Sequence, residues 1–207
     1  MKKSESMSAQ QFWAAFRALF EQGAQTLKDA RDAWGKDYTA FIKKSVCGIL
    51  ADFGYEKEHM TEQYLIDYVG WRQRKGEVSP PVSESGRQQY RLEPCLWQLD
   101  VAVEHENDEK KWTEELVKLA FIRCPLRVVI GYAPAFVLED ENERRKHLAF
   151  AAQLLRALEQ HAPVVADGEE YLLILGKSRI AADRLGPDTY QAFCYRDGTF
   201  VPIGEEK

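Results

Sequence analysis

Residues 96–107 read LWQLDVAVEHEN, an apolar segment whose far end turns acidic. Alternate side chains of a strand point to opposite faces, so Asp100, Glu104 and Glu106 are expected on one face and His105 on the other. Two carboxylates about 6 to 7 Å apart along a strand can direct oxygens at one point, and oxygen ligands suit a hard cation such as Mg²⁺. The pattern predicts a metal site here, with a solvated strand end as the competing interpretation.

A strand-helix-strand pattern follows this segment. Residues 109–122 carry apolar side chains at helical spacing, which predicts a covering helix. Residues 126–132 (LRVVIGY) and 170–176 (EYLLILG) are almost wholly apolar, as in central strands that are buried on both faces. A second helix is predicted between them, over residues 139–161. This alternation favours an α/β domain with a mixed sheet.

Helices are predicted before the strands and a hairpin after them. Amphipathic spacing predicts helices over residues 8–33 and 37–53, and the aromatic first helix should dock on the core or pair with a second copy. The Asp-Gly pair at 197–198 predicts a two-residue hairpin turn. We divide the chain into an N-terminal helix, residues 1–36, and an α/β domain, residues 37–207.

An aspartate interrupts the strand-like segment YLIDYVGW, residues 64–71. Burying the carboxylate of Asp67 in this run is costly unless a cation or hydrogen-bond donors compensate, so the residue is a functional candidate. The alternative is that a nearby arginine, such as Arg72, pairs with it. Glu93, which follows a short strand predicted over residues 88–92, is a rival to Asp67, because the loop over residues 76–86 makes the separation between Asp67 and Glu104 long; Asp67 is preferred because Glu93 lies outside a clear apolar strand.

These segments resemble a known superfamily. The stretch TEQYLIDYVGW (61–71), the stretch VAVEHEN (101–107) and the helix from Trp112 to Leu119 are similar to the core of the PD-(D/E)xK phosphodiesterases, which have the restriction-endonuclease-like fold. In that family an aspartate on one strand and an acid-x-lysine pair on the next converge on magnesium. The resemblance covers the middle of the chain and implies a three-layer α/β/α domain with a mixed central sheet.

The resemblance also implies roles for individual residues. Asp67 would be the first acid and Glu104 the second, and both would ligate Mg²⁺ or Mn²⁺, while Glu106 would either add a third ligand or orient the attacking water. Glu106 occupies the position where the family expects lysine. Some members carry an acid there, and others place the lysine on the following helix, where Lys118 or Lys111 could serve. Asp67, Glu104, Glu106 and Lys118 are therefore the expected catalytic set.

A further carboxylate, Glu62, would stand in the outer shell of such a site. The resemblance implies a metal-dependent nuclease, or a catalytically weakened descendant, with nucleic acid as the partner and DNA expected rather than RNA. The competing hypothesis is a non-catalytic module that binds nucleic acid or protein. The net charge of −5 favours that alternative, because nucleic-acid binders usually carry a basic surface.

The composition of the 207 residues bounds the remaining questions. The length suits one domain with a helical extension. Four cysteines without paired spacing indicate reduced thiols rather than a disulfide or zinc framework. No apolar leader or membrane-spanning stretch is found, so we expect a cytoplasmic protein that does not bind membranes, either monomeric or a homodimer.

Overall fold

The computed structural model describes residues 6–22, 36–55, 61–63, 65–73, 97–159, 163–178 and 187–204. They form helices and strands in a mixed α/β arrangement. In chain order the elements are α1 (Ala9–Gln22), α2 (Lys36–Asp52), β1 (Thr61–Gln63), β2 (Ile66–Gln73), β3 (Trp97–His105), α3 (Trp112–Ala120), β4 (Leu126–Ala133), α4 (Ala135–Glu139), α5 (Glu141–Leu158), β5 (Glu170–Lys177), β6 (Tyr190–Arg196) and β7 (Thr199–Pro202).

The strands form one seven-stranded sheet, in the order in which they follow along the chain. Strands β3, β4 and β5 are parallel, and every other neighbouring pair is antiparallel. Helix α3 connects β3 to β4, and α4 and α5 connect β4 to β5. The predicted α/β class and mixed sheet are therefore confirmed.

Buried side chains form one cluster on each face of the sheet. On the first face α1 and α2 contribute Phe12, Phe16 and Ile42, none of which is exposed. On the second face α3 and α5 contribute Leu116 and Leu155, which are also fully buried. The sheet thus lies between two layers of helices, and the N-terminal helix α1 is part of the core. Within the described ranges, no helix is both long and apolar enough to cross a membrane.

Several predicted boundaries shift. The first helix is described over Ala9–Gln22, and the rest of its predicted span lies outside the described residues, as do the predicted strand 88–92 and Glu93. The helix predicted over 139–161 is described as α5, Glu141–Leu158, whose N-cap Asp140 accepts the N–H groups of Asn142 and Glu143 with its side chain, and the short helix α4 before it was not predicted. The predicted turn at 197–198 is confirmed, since both residues have positive φ (50° and 76°) and join β6 to β7.

Strict alternation along β3 is broken by a bulge. Leu99 packs with the second-face cluster, whereas Val101, two residues later, packs with the first. The pairing of β2 with β3 shifts between residues 70 and 71, which inserts an extra residue on β3. The prediction that Asp100 shares a face with the two glutamates is therefore wrong. Asp100 instead forms an ion pair with Arg72, with Oδ2 2.9 Å from Nε.

Candidate active site at the end of strand β3

Two acids meet where β2 begins and β3 ends. The antiparallel register sets Tyr68 opposite Val103, so Asp67 and Glu104 are cross-strand neighbours. The Oδ2 atom of Asp67 accepts the backbone N–H of His105 at 2.9 Å. Strand β3 therefore carries the carboxylate of Glu104 and binds that of Asp67 through the backbone N–H of His105.

Helix α3 brings a lysine to this pair. The Nζ atom of Lys118 lies 2.8 Å from Oε1 of Glu104 and 2.5 Å from Oε2 of Glu115, which is on the same helix. The side chain of Glu104 is 1% exposed, whereas that of Lys118 is 39% exposed. The ammonium group therefore links a buried carboxylate to solvent.

Burial and neighbouring charges set the protonation of this cluster. Burial is the largest effect and raises the pKa of Glu104 to about 8, with repulsion from Asp67 and Glu115 acting in the same direction and the hydrogen bond from Lys118 opposing it. Burial lowers the pKa of Lys118, but hydrogen bonds to Glu104 and Glu115 and attraction to both outweigh it, so the pKa is raised. The cluster therefore favours added positive charge, which a proton or a cation can supply.

A glycine lets α3 approach the sheet. A Cβ atom at Gly131, on β4, would lie 2.5 Å from Cβ and 2.8 Å from Cγ of Trp112, in the first turn of α3. The hydroxyl of Tyr171 on β5 donates to the backbone carbonyl of Leu116 in the same helix. These contacts fix the helix on the sheet and therefore fix the position of Lys118.

Glu106 does not join the cluster. It follows the last residue of β3, and its Oε1 accepts the backbone N–H of Asp108 at 2.7 Å. The charged groups that shift the pKa of Glu104 are Asp67, Glu115 and Lys118, and Glu106 is not among them. Across the described ranges, no three His, Cys, Asp or Glu side chains are grouped as a metal site would require. The predicted convergence of three carboxylates is therefore not formed there.

The other candidates lie elsewhere. Lys111 is 57% exposed, with Nζ 4.0 Å from a carboxylate oxygen of Asp108. Glu62 belongs to β1, of which only the backbone is described, and Glu93 is outside the described residues. Lys118 is thus the lysine that the structure brings to the acids.

His105 points to the first face, away from the acids, as predicted. Its Nε2 lies 3.1 Å from the hydroxyl of Tyr132, which lies 3.2 Å from the hydroxyl of Tyr190. Burial lowers the pKa of His105 to about 4, so the imidazole is neutral near pH 7. Its side chain packs in the core, and its contribution to the site is the backbone N–H that binds Asp67.

Glu115 is the site residue that the sequence interpretation missed. Its spacing of three residues from Lys118 is that of an ion pair on one helix face, so the pairing was available as a signal. The spacing alone does not distinguish a pair at a buried site from a solvated pair on the surface of the helix. Only the approach of α3 to β3 shows that they border a buried carboxylate.

A second buried charge has a structural role. Arg127 is fully buried on β4, and its Nη1 donates to the backbone carbonyl of Val164 at 2.7 Å. Its Nη2 lies 2.9 Å from Oε2 of Glu169, and its guanidinium lies over the ring of Tyr171. Arg123, which is 54% exposed, binds the other oxygen of Glu169. Through Nη1 and Nη2, Arg127 joins the start of β4 to the loop that precedes β5.

No protein-family model, no curated protein and no solved structure matches the chain.

Proposed function

We propose that the protein is a metal-dependent nuclease with a restriction-endonuclease-like core, which hydrolyses phosphodiester bonds in DNA rather than RNA. The observation that carries the proposal is the ion pair between Lys118 and Glu104 beside Asp67. Two acids on neighbouring antiparallel strands and a lysine from the next helix form the set that the superfamily resemblance implies, with the lysine moved from strand to helix.

The two acids suit a hard cation. Asp67 Oδ1 and Glu104 Oε2 receive no hydrogen bond from another described residue, so each has an oxygen available for coordination. Carboxylate oxygens are the preferred ligands of Mg²⁺ and suit Mn²⁺. Asp67 and Glu104 would hold the metal, with the remaining positions left to water and substrate. A bound divalent cation supplies a lowered pKa for its water and neutralises charge on the scissile phosphate.

Lys118 would act on the substrate beside the metal. Its ammonium has three donors, and its partial exposure leaves it reachable by a phosphate group or by the attacking water. Glu115 holds the ammonium from the helix side, so the lysine stays near the site when its bond to Glu104 is exchanged for one to substrate. In this scheme Glu115 is a positioning residue, and Lys118 stabilises negative charge that develops on phosphate.

The competing function is a non-catalytic binding module with the same architecture. It is favoured because the described residues place no third ligating carboxylate beside Asp67 and Glu104, and because two glutamates neutralise Lys118. The net charge of −5 argues in the same direction, since it opposes approach of a polyanion. Cleavage assays separate the two functions.

The test is hydrolysis of single-stranded and double-stranded DNA and RNA with Mg²⁺ or Mn²⁺. Glu104→Gln keeps the shape and removes the charge, so cleavage should fall by at least about a hundredfold while the fold persists. Lys118→Met should give a similar loss. Lys146→Met is the matched control, because Lys146 also pairs with a glutamate three residues away but lies on the surface of α5. Wild-type protein that cleaves none of these substrates would refute the enzyme hypothesis.

Metal binding is tested separately by thermal unfolding. A ligand that binds only the native state stabilises it by mass action. Mg²⁺ or Mn²⁺ at millimolar concentration should therefore raise the Tm of the wild type and leave that of Asp67→Ala unchanged. An equal shift in both proteins would place the cation elsewhere, and no shift in either would exclude binding at this site under those conditions.

A further inference from the structure

A small cavity lies between α1, the first turn of α5, the start of β6 and the end of β7. Its volume is about 250 Å³, and its polar lining includes Trp13, Arg17, Arg144, Asp188 and Gln191. Pockets for drug-sized ligands measure about 300 to 1,000 Å³, so this one suits a smaller group. Two arginines outnumber the one aspartate in its lining. The cavity is therefore locally basic in a chain whose net charge is −5.

Hydrogen bonds orient the donors around this cavity. Nη1 of Arg144 and Nε2 of Gln191 donate to the same backbone carbonyl, that of Leu138, at 2.8 and 3.1 Å. A guanidinium has five N–H donors in a rigid fork, so the bond from Arg144 to this carbonyl uses one and leaves the others for a ligand. The indole Nε1 of Trp13 makes no hydrogen bond to another described residue and lies 3.7 Å from the point where a Cβ on Gly204 would stand. The lining thus offers N–H donors to an anion.

The cavity and the acidic site lie at the same level of the sheet. Residues paired between neighbouring strands form a row that starts at Glu104 on β3 and ends at Phe193 on β6 and Pro202 on β7, by way of Val129 and Leu173. Phe193 and Pro202 line the cavity. Three strand spacings of about 4.8 Å separate β3 from β6, which is roughly 14 Å. Successive phosphates of a strand are farther apart than the rise of about 3.4 Å per nucleotide along a duplex axis, so a strand bound at the acidic site can reach the cavity within a few nucleotides.

We propose that this cavity, the arginine pocket, binds a backbone phosphate of the DNA within a few nucleotides of the bond that is cut. The inference rests on the proposed function, because the separation is counted from the acidic site. Guanidinium groups bind phosphate through paired N–H bonds, and such contacts fix the register of a strand without reading its bases. The pocket adds affinity and positions the strand, whereas Asp67, Glu104 and Lys118 act on the bond.

The test is DNA binding by full-length protein in the Glu104→Gln background, which keeps the DNA uncut. Fluorescence anisotropy with a labelled DNA oligonucleotide long enough to span both sites gives Kd at several salt concentrations. Arg17→Gln and Arg144→Gln remove the pocket cations. Arg145→Gln is the matched control, since Arg145 neighbours Arg144 on α5 but is 71% exposed and pairs with Glu141. Circular dichroism verifies that each variant is folded.

Losing one phosphate contact should weaken binding roughly three- to tenfold and reduce the slope of log K against log salt by about one. We expect this for Arg144→Gln and Arg17→Gln, and less than about a twofold change for Arg145→Gln. Equal effects of Arg144→Gln and Arg145→Gln, or no effect of either, would overturn the proposal. Adenosine monophosphate that competes as tightly as the oligonucleotide binds would also overturn it, because the pocket would then be a site for free small anions.

These outcomes are independent of the cleavage assay. Wild-type protein that does not cut DNA but binds it through Arg144 would refute the nuclease and retain the phosphate site. Protein that cuts DNA while Arg144→Gln binds normally would refute the arginine pocket and retain the nuclease.

Discussion

The Nζ atom of Lys118 stands 2.8 Å from Oε1 of Glu104, and the pair joins a half-exposed cation to a carboxylate with almost no solvent contact. Without the ammonium group of Lys118, the buried carboxyl group of Glu104 is either protonated or carries an uncompensated negative charge. Which of them applies depends on pH, because burial already raises the pKa of Glu104 to about 8.

The destabilisation caused by Lys118→Met should therefore grow with pH. A carboxyl whose folded pKa is raised contributes stability that is complete below its unfolded pKa of 4.5 and is lost as pH rises through about 8. Without Lys118 the folded pKa rises further, so the loss extends to higher pH. We expect a cost of about 1 kcal/mol near pH 9 and less near pH 6, given the exposure of Lys118. Urea denaturation in chelator measures it, and a cost independent of pH would contradict this account.

Alanine substitutions at two glycines should have opposite effects. At Gly131 the new Cβ meets the backbone-proximal atoms of Trp112, which cannot move without moving α3, so Gly131→Ala should cost about 1 to 3 kcal/mol. At Gly48, inside α2, nothing lies within 4 Å, and alanine should stabilise by about 0.5 to 1 kcal/mol. Urea denaturation compares the two. Cleavage should fall more than stability for Gly131→Ala, because α3 carries Lys118, and equal stabilities of the two variants would refute the steric argument.

Replacing Leu65 with glycine should stabilise the protein. Leu65 lies between β1 and β2 with φ of 66° and is 88% exposed, so it makes little contact that could offset its backbone strain. A left-handed conformation costs an L-residue about 1 to 2 kcal/mol, and the extra entropy of glycine returns about 0.5 to 1 kcal/mol of that. A gain of up to about 1 kcal/mol is expected for Leu65→Gly. Leu65→Ala, which keeps the Cβ, should show no gain, and its Tm is the control.

Two arginines on one carboxylate should differ sharply in their importance. Arg127→Met leaves Glu169 and the carbonyl of Val164 without a buried donor, and should cost about 3 to 5 kcal/mol. Arg123→Met removes an ion pair whose cation is more than half exposed, and should cost less than about 1 kcal/mol. Chemical denaturation measures both. Similar losses would mean that the loop before β5 is held by Glu169 alone.

Apolar runs and turn residues made most of the fold predictable. The strands at 126–133 and 170–177 are buried along nearly their whole length, so their composition alone identifies them. The turn at 197–198 was predictable because few residues adopt positive φ without strain. These features depend on the properties of neighbouring residues in the chain, and those properties can be read from a single sequence.

The site was only partly predictable for the opposite reason. Asp67, Glu104 and Lys118 were named from the sequence, but their contact depends on the strand register and on how closely α3 approaches β4. Glu106 was misplaced because two-residue alternation was extended past the last residue of the strand, where the carboxylate turns to the amide of Asp108. Asp100 was misplaced by a bulge, which no pattern in its own strand reveals.

The outermost strands constrain how copies of this chain can associate. Among the described strands, β1 (Thr61–Gln63) stands at one border of the sheet and β7 (Thr199–Pro202) stands at the other. Strands this short have few unpaired backbone N–H and C=O groups, and Pro202 has no backbone N–H to donate. Neither strand is therefore a good template for the addition of a strand from another molecule. We therefore expect copies of this protein to associate through helices rather than by pairing β1 or β7 of one copy with those of another.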